Sequence, residues 1–190
     1  MRPVYVALLH YPIQDRSGAT VATSVTNLDL HDIARSCRTY GVERYFVVTP
    51  VEAQHAVVGR ILGHWHGDQA REWHPKRGEA LSRVELVHAF QDVQKRIEEL
   101  SGERAEVILT DARPDEHTIT YQVLREEIAS ESETRPVLVI LGTGWGVAPE
   151  FFDQVGRRLD PIWGPPRAEG YNHLSVRAAA AVILDRLMGA

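Results

Sequence analysis

The run Pro136-Val137-Leu138-Val139-Ile140-Leu141 constrains this chain most, because it is short, continuously apolar and bounded by breakers. A strand with one wet face alternates polar and apolar residues, whereas a run without polar residues has both faces covered. The run therefore predicts a central parallel strand in an α/β sheet. Ligands of such sheets sit at the carboxyl ends of the strands, and Gly142, Gly144 and Gly146 follow directly after Leu141. Glycine tolerates positive φ and lets backbone approach a ligand closely. A ligand loop and a tight turn are both consistent with those glycines.

The rest of the chain supplies partners for that strand. Val4 to Leu9 is a first apolar run, and the polar, turn-rich segment HYPIQDRSGATVATSVTN after it exceeds the usual connection of about 4–6 residues. Leu30, Ile33, Ala34 and Cys37 share a helical face, with Asp29 expected as N-cap and Gly41 as C-cap. Arg35 projects away from that stripe. Arg44 to Val48 reads as a second strand, followed by a capping box and helix from Thr49-Pro50-Val51-Glu52 with Ala53, Ala56, Val57, Ile61 and Leu62 as the apolar face. The segment from Gly63 to Glu79 breaks the pattern and reads as a loop rich in histidine and tryptophan. Its His64 and His66 lack the companions of a metal site, so no metal is expected.

Leu86, Phe90, Val93, Ile97 and Leu100 predict a long amphipathic helix ending at Ser101-Gly102. A third strand is expected over Ala105 to Leu109, with Thr110 and Asp111 facing the prospective site, and a helix over Thr118 to Ala129 with Leu124 and Ile128 inward. The alternation of strands and helices implies a mostly parallel sheet with helices on both faces. The closing segment from Leu174 to Met188 is apolar nearly all round, which predicts a buried helix. Tyr171, Asn172, His173, Ser175 and Arg177 crowd its start, more polarity than capping requires.

At 190 residues a single domain over 1–190 is expected. No apolar run approaches the roughly 20 residues that span a bilayer, and the apolar stretch at the start is too short for a signal peptide, so a cytoplasmic protein without a membrane partner is expected. One cysteine, Cys37, excludes an internal disulfide. A net charge of −5 argues against bulk electrostatic coating of nucleic acid, while local basic patches remain possible around Arg71, His74, Lys76, Arg77 and Arg83, or Arg157, Arg158 and Arg167. The glycine loop does not match the usual nucleotide motifs. It follows a late strand instead of the first βα turn, lacks the Lys-Ser/Thr pair of a phosphate loop, and Ser175 lacks the glycine flanks of a nucleophile elbow.

Three segments together resemble the SPOUT superfamily of knotted, S-adenosylmethionine (SAM)-dependent RNA methyltransferases. Asp29 to Val42 resembles its first motif, N-L-x-x-I-x-R-T-x-x-x-x-G; Leu141-Gly142-Thr143-Gly144-Trp145-Gly146 resembles the second; His173-Leu174-Ser175-Val176 before an alanine-rich helix resembles the third. The resemblance implies a C-terminal deep trefoil knot and methylation of tRNA or rRNA at a ribose 2′-oxygen or a base nitrogen. An inactive knot protein that binds SAM or RNA is the alternative. It implies a SAM site at Thr110, Leu141, Gly142, Thr143, Gly144, Gly146, Ile162, Trp163, Tyr171, Asn172 and Leu174. It also implies catalytic roles for Arg35, Asp29, His173 and Ser175, and a homodimer through the knot helices. Asp29 and His173 stand where the family usually has asparagine.

Overall fold

The apolar runs become the middle of one sheet. The computed structural model of the protein describes residues 1–190 except Pro114 and the side chains of Asp68, Gln69 and Arg71, so Arg71 of the first basic patch lies outside the described residues. The first half of the chain comprises β1 (Val4–Leu9), β2 (Ile13–Gln14), β3 (Thr20–Val21), α1 (Asn27–Thr39), β4 (Tyr45–Val48), α2 (Glu52–His66), α3 (Asp68–Trp73), α4 (Pro75–Leu81) and β5 (Val84–Val87). There follow α5 (Phe90–Ser101), β6 (Glu106–Thr110), β7 (Thr118–Ile119), α6 (Tyr121–Ala129), β8 (Val137–Leu141), β9 (Arg157–Leu159) and α7 (Val176–Met188), with a 3-10 helix at Pro149–Gln154 before β9. Seven strands pair in the order β5-β4-β1-β8-β6-β9-β7, each pair parallel, while β2 and β3 form a small antiparallel hairpin.

The expected central strand is β8, whose five residues are all buried between β1 and β6. Along β1, Val4, Val6 and Leu8 face α1, α6 and α7, while Tyr5, Ala7 and Leu9 face α5 and Phe151. This alternation builds two cores, one on each side of the sheet. Burying each such Val or Leu is worth about 1.5–3 kcal/mol, so a charge at Val139 would break the fold.

Several local expectations differ from the structure. The N-cap of α1 is Thr26, not Asp29; Asp29 is the third helical residue and closes a capping box with Thr26, while Gly41, at φ 75°, does follow the helix end as expected. No capping box forms at Thr49, since α2 begins at Glu52 after Val51 without a side-chain cap, and Thr49 is buried against β5. On α2 the buried residues are Val58 and Leu62, whereas Ala53, Ala56 and Val57 lie outside. The expected loop from Gly63 to Glu79 is helical through the end of α2, α3 and most of α4, with Pro75 in the first turn of α4. Glycine costs about 1 kcal/mol in a helix, an amount that the packing of Leu62 and Trp65 on the core exceeds.

Leu86 belongs to β5, not to the following helix; pairing with β4 outweighs a spacing that suits both readings. Thr118 and Ile119 form β7, and α6 starts later, capped by Thr120, whose Oγ1 accepts from Val123 N at 3.2 Å. Leu124 and Ile128 are buried as expected. The closing helix is buried on one face only, by Ala180, Ile183, Leu184 and Leu187, while Ala178 is exposed and Ala181 and Val182 are half-buried.

Candidate active site

A cavity of about 780 Å³ opens at the carboxyl edge of the sheet, where a parallel sheet places its ligands. Its walls come from four places distant in sequence. His10 follows β1, Thr110 ends β6 ahead of Asp111 to Arg113, Leu141 ends β8 ahead of Gly142 to Gly146, and the stretch from Asn172 to Leu174 leads into α7. Asp29 of α1 and Ile162 also line it. Of the residues expected at the site, Asp29, Thr110, Leu141, Gly142, Thr143, Gly144, Gly146, Ile162, Asn172, His173 and Leu174 line this one cavity. Four others do not line it. Trp163 and Tyr171 are exposed beside it, Tyr171 meeting His173 edge-on at 5.4 Å. Arg35 lies on the far side of α1, and Ser175 caps α7 by accepting from Ala178 N at 3.3 Å.

The glycine loop has a shape only glycine supplies. Gly144 and Gly146 adopt φ 57° and 99°, and a Cβ on Gly146 would stand 2.8 Å from an Arg113 nitrogen. The polar segment after β1 packs on this loop. Gln14 N donates to Gly146 O at 2.9 Å, Trp145 N to Gln14 O at 3.2 Å, and Ala148 N to Pro12 O at 3.1 Å. Asn172 Nδ2 donates to Ala112 O at 2.5 Å, which ties the third motif to the β6 end, and Thr110 Oγ1 donates to Ile140 O at 2.8 Å.

Asp29 is buried. Its Oδ2 accepts from Thr26 Oγ1 at 2.6 Å, and its Oδ1 lies 3.9 Å from Arg177 Nε. Asp111 is paired to Arg113 at 2.6 Å, and Asp160 accepts from Thr118 Oγ1. With Asp111 neutralised by Arg113, Asp29 and Asp160 are the acids of the wall that suit a ligand carrying positive charge.

Sequence reading missed His10, which is 1% exposed. The Thr143 hydroxyl donates to Leu9 O at 3.1 Å, which leaves the Thr23 hydroxyl as donor in its 2.6 Å contact with Thr143. Thr23 Oγ1 therefore accepts from His10 Nδ1 at 3.0 Å, and the bare lone pair of Nε2 has no partner. Burial lowers the imidazole to about 4 against the opposing charge of Asp29, so His10 is neutral at pH 7. Its signal was its place directly after an apolar strand on the same edge as the glycine loop. Tyr121 and Asp160 also line the cavity, and nothing local in the sequence points to them.

A glycine-built cavity of this volume at the carboxyl edge of a parallel sheet has room for a nucleoside-sized ligand. The description "SAM-dependent RNA methyltransferase" matches residues 3–189, and the chain belongs to that family. Its cofactor is SAM. An uncharacterised protein of Aquifex aeolicus (strain VF5) is 41% identical over 184 residues, covering 97% of this chain and 87% of that one. A tRNA (guanine-N(1)-)-methyltransferase of Oleidesulfovibrio alaskensis is 39% identical over 189 residues, with 99% of this chain matching 42% of its length. The chain thus spans less than half of that relative. Among solved structures, a probable methylase family protein from Haemophilus influenzae superposes with TM-score 0.57 at 16% identity, over 98% of this chain and 64% of that one. The SpoU methyltransferase AviRb from Streptomyces viridochromogenes, solved with AdoMet, gives TM-score 0.51 at 13% identity, over 98% of this chain and 57% of that one. At these identities the likeness is one of fold.

Proposed function

We propose that this chain methylates tRNA, with SAM held between the loop of Gly142 to Gly146 and the segment of Asn172 to Leu174. One observation carries the reading: those two segments, about thirty residues apart in sequence, line a single cavity together with Asp29 and His10. Two features of the cavity fit SAM. His10 carries an unpartnered acceptor, and Asp29 and Asp160 in the wall suit a sulfonium. When bound, SAM supplies an electrophilic methyl group. The chain supplies the rest. Leu141, Ile162 and Leu174 enclose the adenosine, Thr143 is oriented by Thr23, and His173 or Asp29 takes the proton from the RNA hydroxyl or base nitrogen. Tyr171 packs edge-on against the His173 ring and holds it.

The tRNA substrate is carried from the curated relatives, and the reaction takes place in the cytoplasm, where tRNA is. We infer also that the segment leading into α7 is threaded as a trefoil knot, as the sequence resemblance implies, and that the protein is a homodimer. The uncovered side of α7 supports the dimer: exposed Ala178 and half-buried Ala181 line a shallow depression with Arg35 and Ser175. Small residues allow close helix approach, and a partner packed there would meet Arg35, which its own cavity lacks.

Calorimetry with SAM, followed by methyl transfer to total tRNA and rRNA, tests the function. Micromolar SAM binding and transfer lost in His173→Ala and Arg35→Ala are expected, and digestion of the product to nucleosides identifies the methylated atom. SAM binding with no transfer to any RNA would leave a donor-binding protein without catalysis.

A further inference from the structure

On the far side of α1 from the SAM cavity, α1, α2 and α4 enclose an open groove of about 580 Å³. Its floor is apolar, with Leu28, Ile61 and Trp65, and its rim carries Arg35, Arg60 and Arg77. Half of the arginines with described side chains bind carboxylates, among them Arg2, Arg38, Arg44, Arg96, Arg104, Arg113, Arg157 and Arg158. The rim arginines differ. Among the described residues none of the three makes an ion pair. Arg60 Nε reaches only Ala56 O of its own helix, at 3.3 Å, and Arg77 lies over the Trp65 ring at 5.1 Å. The one carboxylate in the groove, Asp32, faces Arg177 at 3.6 Å.

Exposed guanidiniums around an apolar, aromatic floor match a strand of nucleotides, with phosphates on the rim and a base or ribose on the floor. The position narrows this further. Helix α1 presents Asp29 to the SAM cavity and Arg35 to the groove, six residues or about 9 Å apart along the helix axis. A polymer held in the groove therefore crosses one helix to reach the methyl donor, which an acidic peptide has no reason to do. We propose that this groove holds the RNA strand flanking the methylated nucleotide. The proposal rests on the RNA methyltransferase reading and adds where the RNA lies.

The test compares the wild type with Arg60→Gln/Arg77→Gln, both exposed positions, by fluorescence anisotropy with a short labelled single-stranded RNA over a salt series. Binding about tenfold weaker is expected, with the salt slope reduced by about 1.4, since each lost phosphate contact removes about 0.7 for single strands. SAM binding by calorimetry should be unchanged, which separates a lost RNA contact from a misfolded protein. Wild-type RNA affinity and slope in the double variant would overturn the groove while leaving methyl transfer intact as a function. Competition by polyglutamate as effective as that by RNA would replace the strand with an acidic peptide. Catalytic inactivity of the wild type together with the expected binding loss would sink the function and keep the groove as an RNA site.

Discussion

His10 shows how one buried side chain couples the cavity to stability. Its imidazole is held near 4 when folded against about 6.5 when unfolded, so between those values the unfolded chain binds the extra proton. Stability is therefore full above pH 6.5 and falls toward pH 4, by about 3 kcal/mol in total. Urea unfolding at pH 7.5, 5.5 and 4.5 should show this slope, and His10→Gln should flatten it. A variant with the wild-type slope would mean that other groups set the acid limit. Gly146 makes a second case at this scale. A side chain there meets positive φ and the Arg113 guanidinium, so Gly146→Ala should cost about 1–3 kcal/mol of loop strain and weaken SAM binding by tenfold or more in calorimetry.

Among the elements, the far edge of the sheet depends on a charge network. Arg2 is almost fully buried; its Nε donates to Arg135 O at 2.7 Å, and its guanidinium pairs with Glu106 at 2.7 Å. Arg157 of β9 clamps the same Glu106 and Glu127 of α6, each at 2.6 Å. Burial would raise the Glu106 carboxyl, yet hydrogen bonds from Arg157 and Arg2 hold it below its usual range. Arg2→Ala leaves Glu106 partly uncompensated and should destabilise by about 3 kcal/mol in urea unfolding. Ser175 belongs to this scale too. As the cap of α7, its replacement by alanine should cost about 1 kcal/mol of stability, read in the same assay.

For the whole molecule, the half-covered α7 sets the prediction. Ala181→Arg places a long cation on the uncovered face and should convert a dimer to a monomer in sedimentation analysis, with methyl transfer falling in parallel. A wild-type protein that sediments as a monomer while methylating RNA would refute assembly through α7. Among the described residues no helix is long and apolar enough to cross a membrane.

By itself the sequence determined the central strand, the parallel α/β class, the glycine loop and the helix of Leu30 to Cys37, because each is written in a local run, period or breaker. It also pointed to part of the cavity wall, because Thr110 and the glycine loop stand at the carboxyl ends of β6 and β8. Tertiary structure alone decided the rest. Strand β5 exists through pairing with β4, α2 to α4 persist because Leu62 and Trp65 pack on the core, and Asp29, fixed locally by its capping box with Thr26, meets the glycine loop only in the folded cavity. His10, Tyr121 and Asp160 enter the cavity only through long-range packing. The same packing separates Arg35 and Ser175 from the pocket, since one helix has two sides and neighbouring residues in a motif need not face the same one.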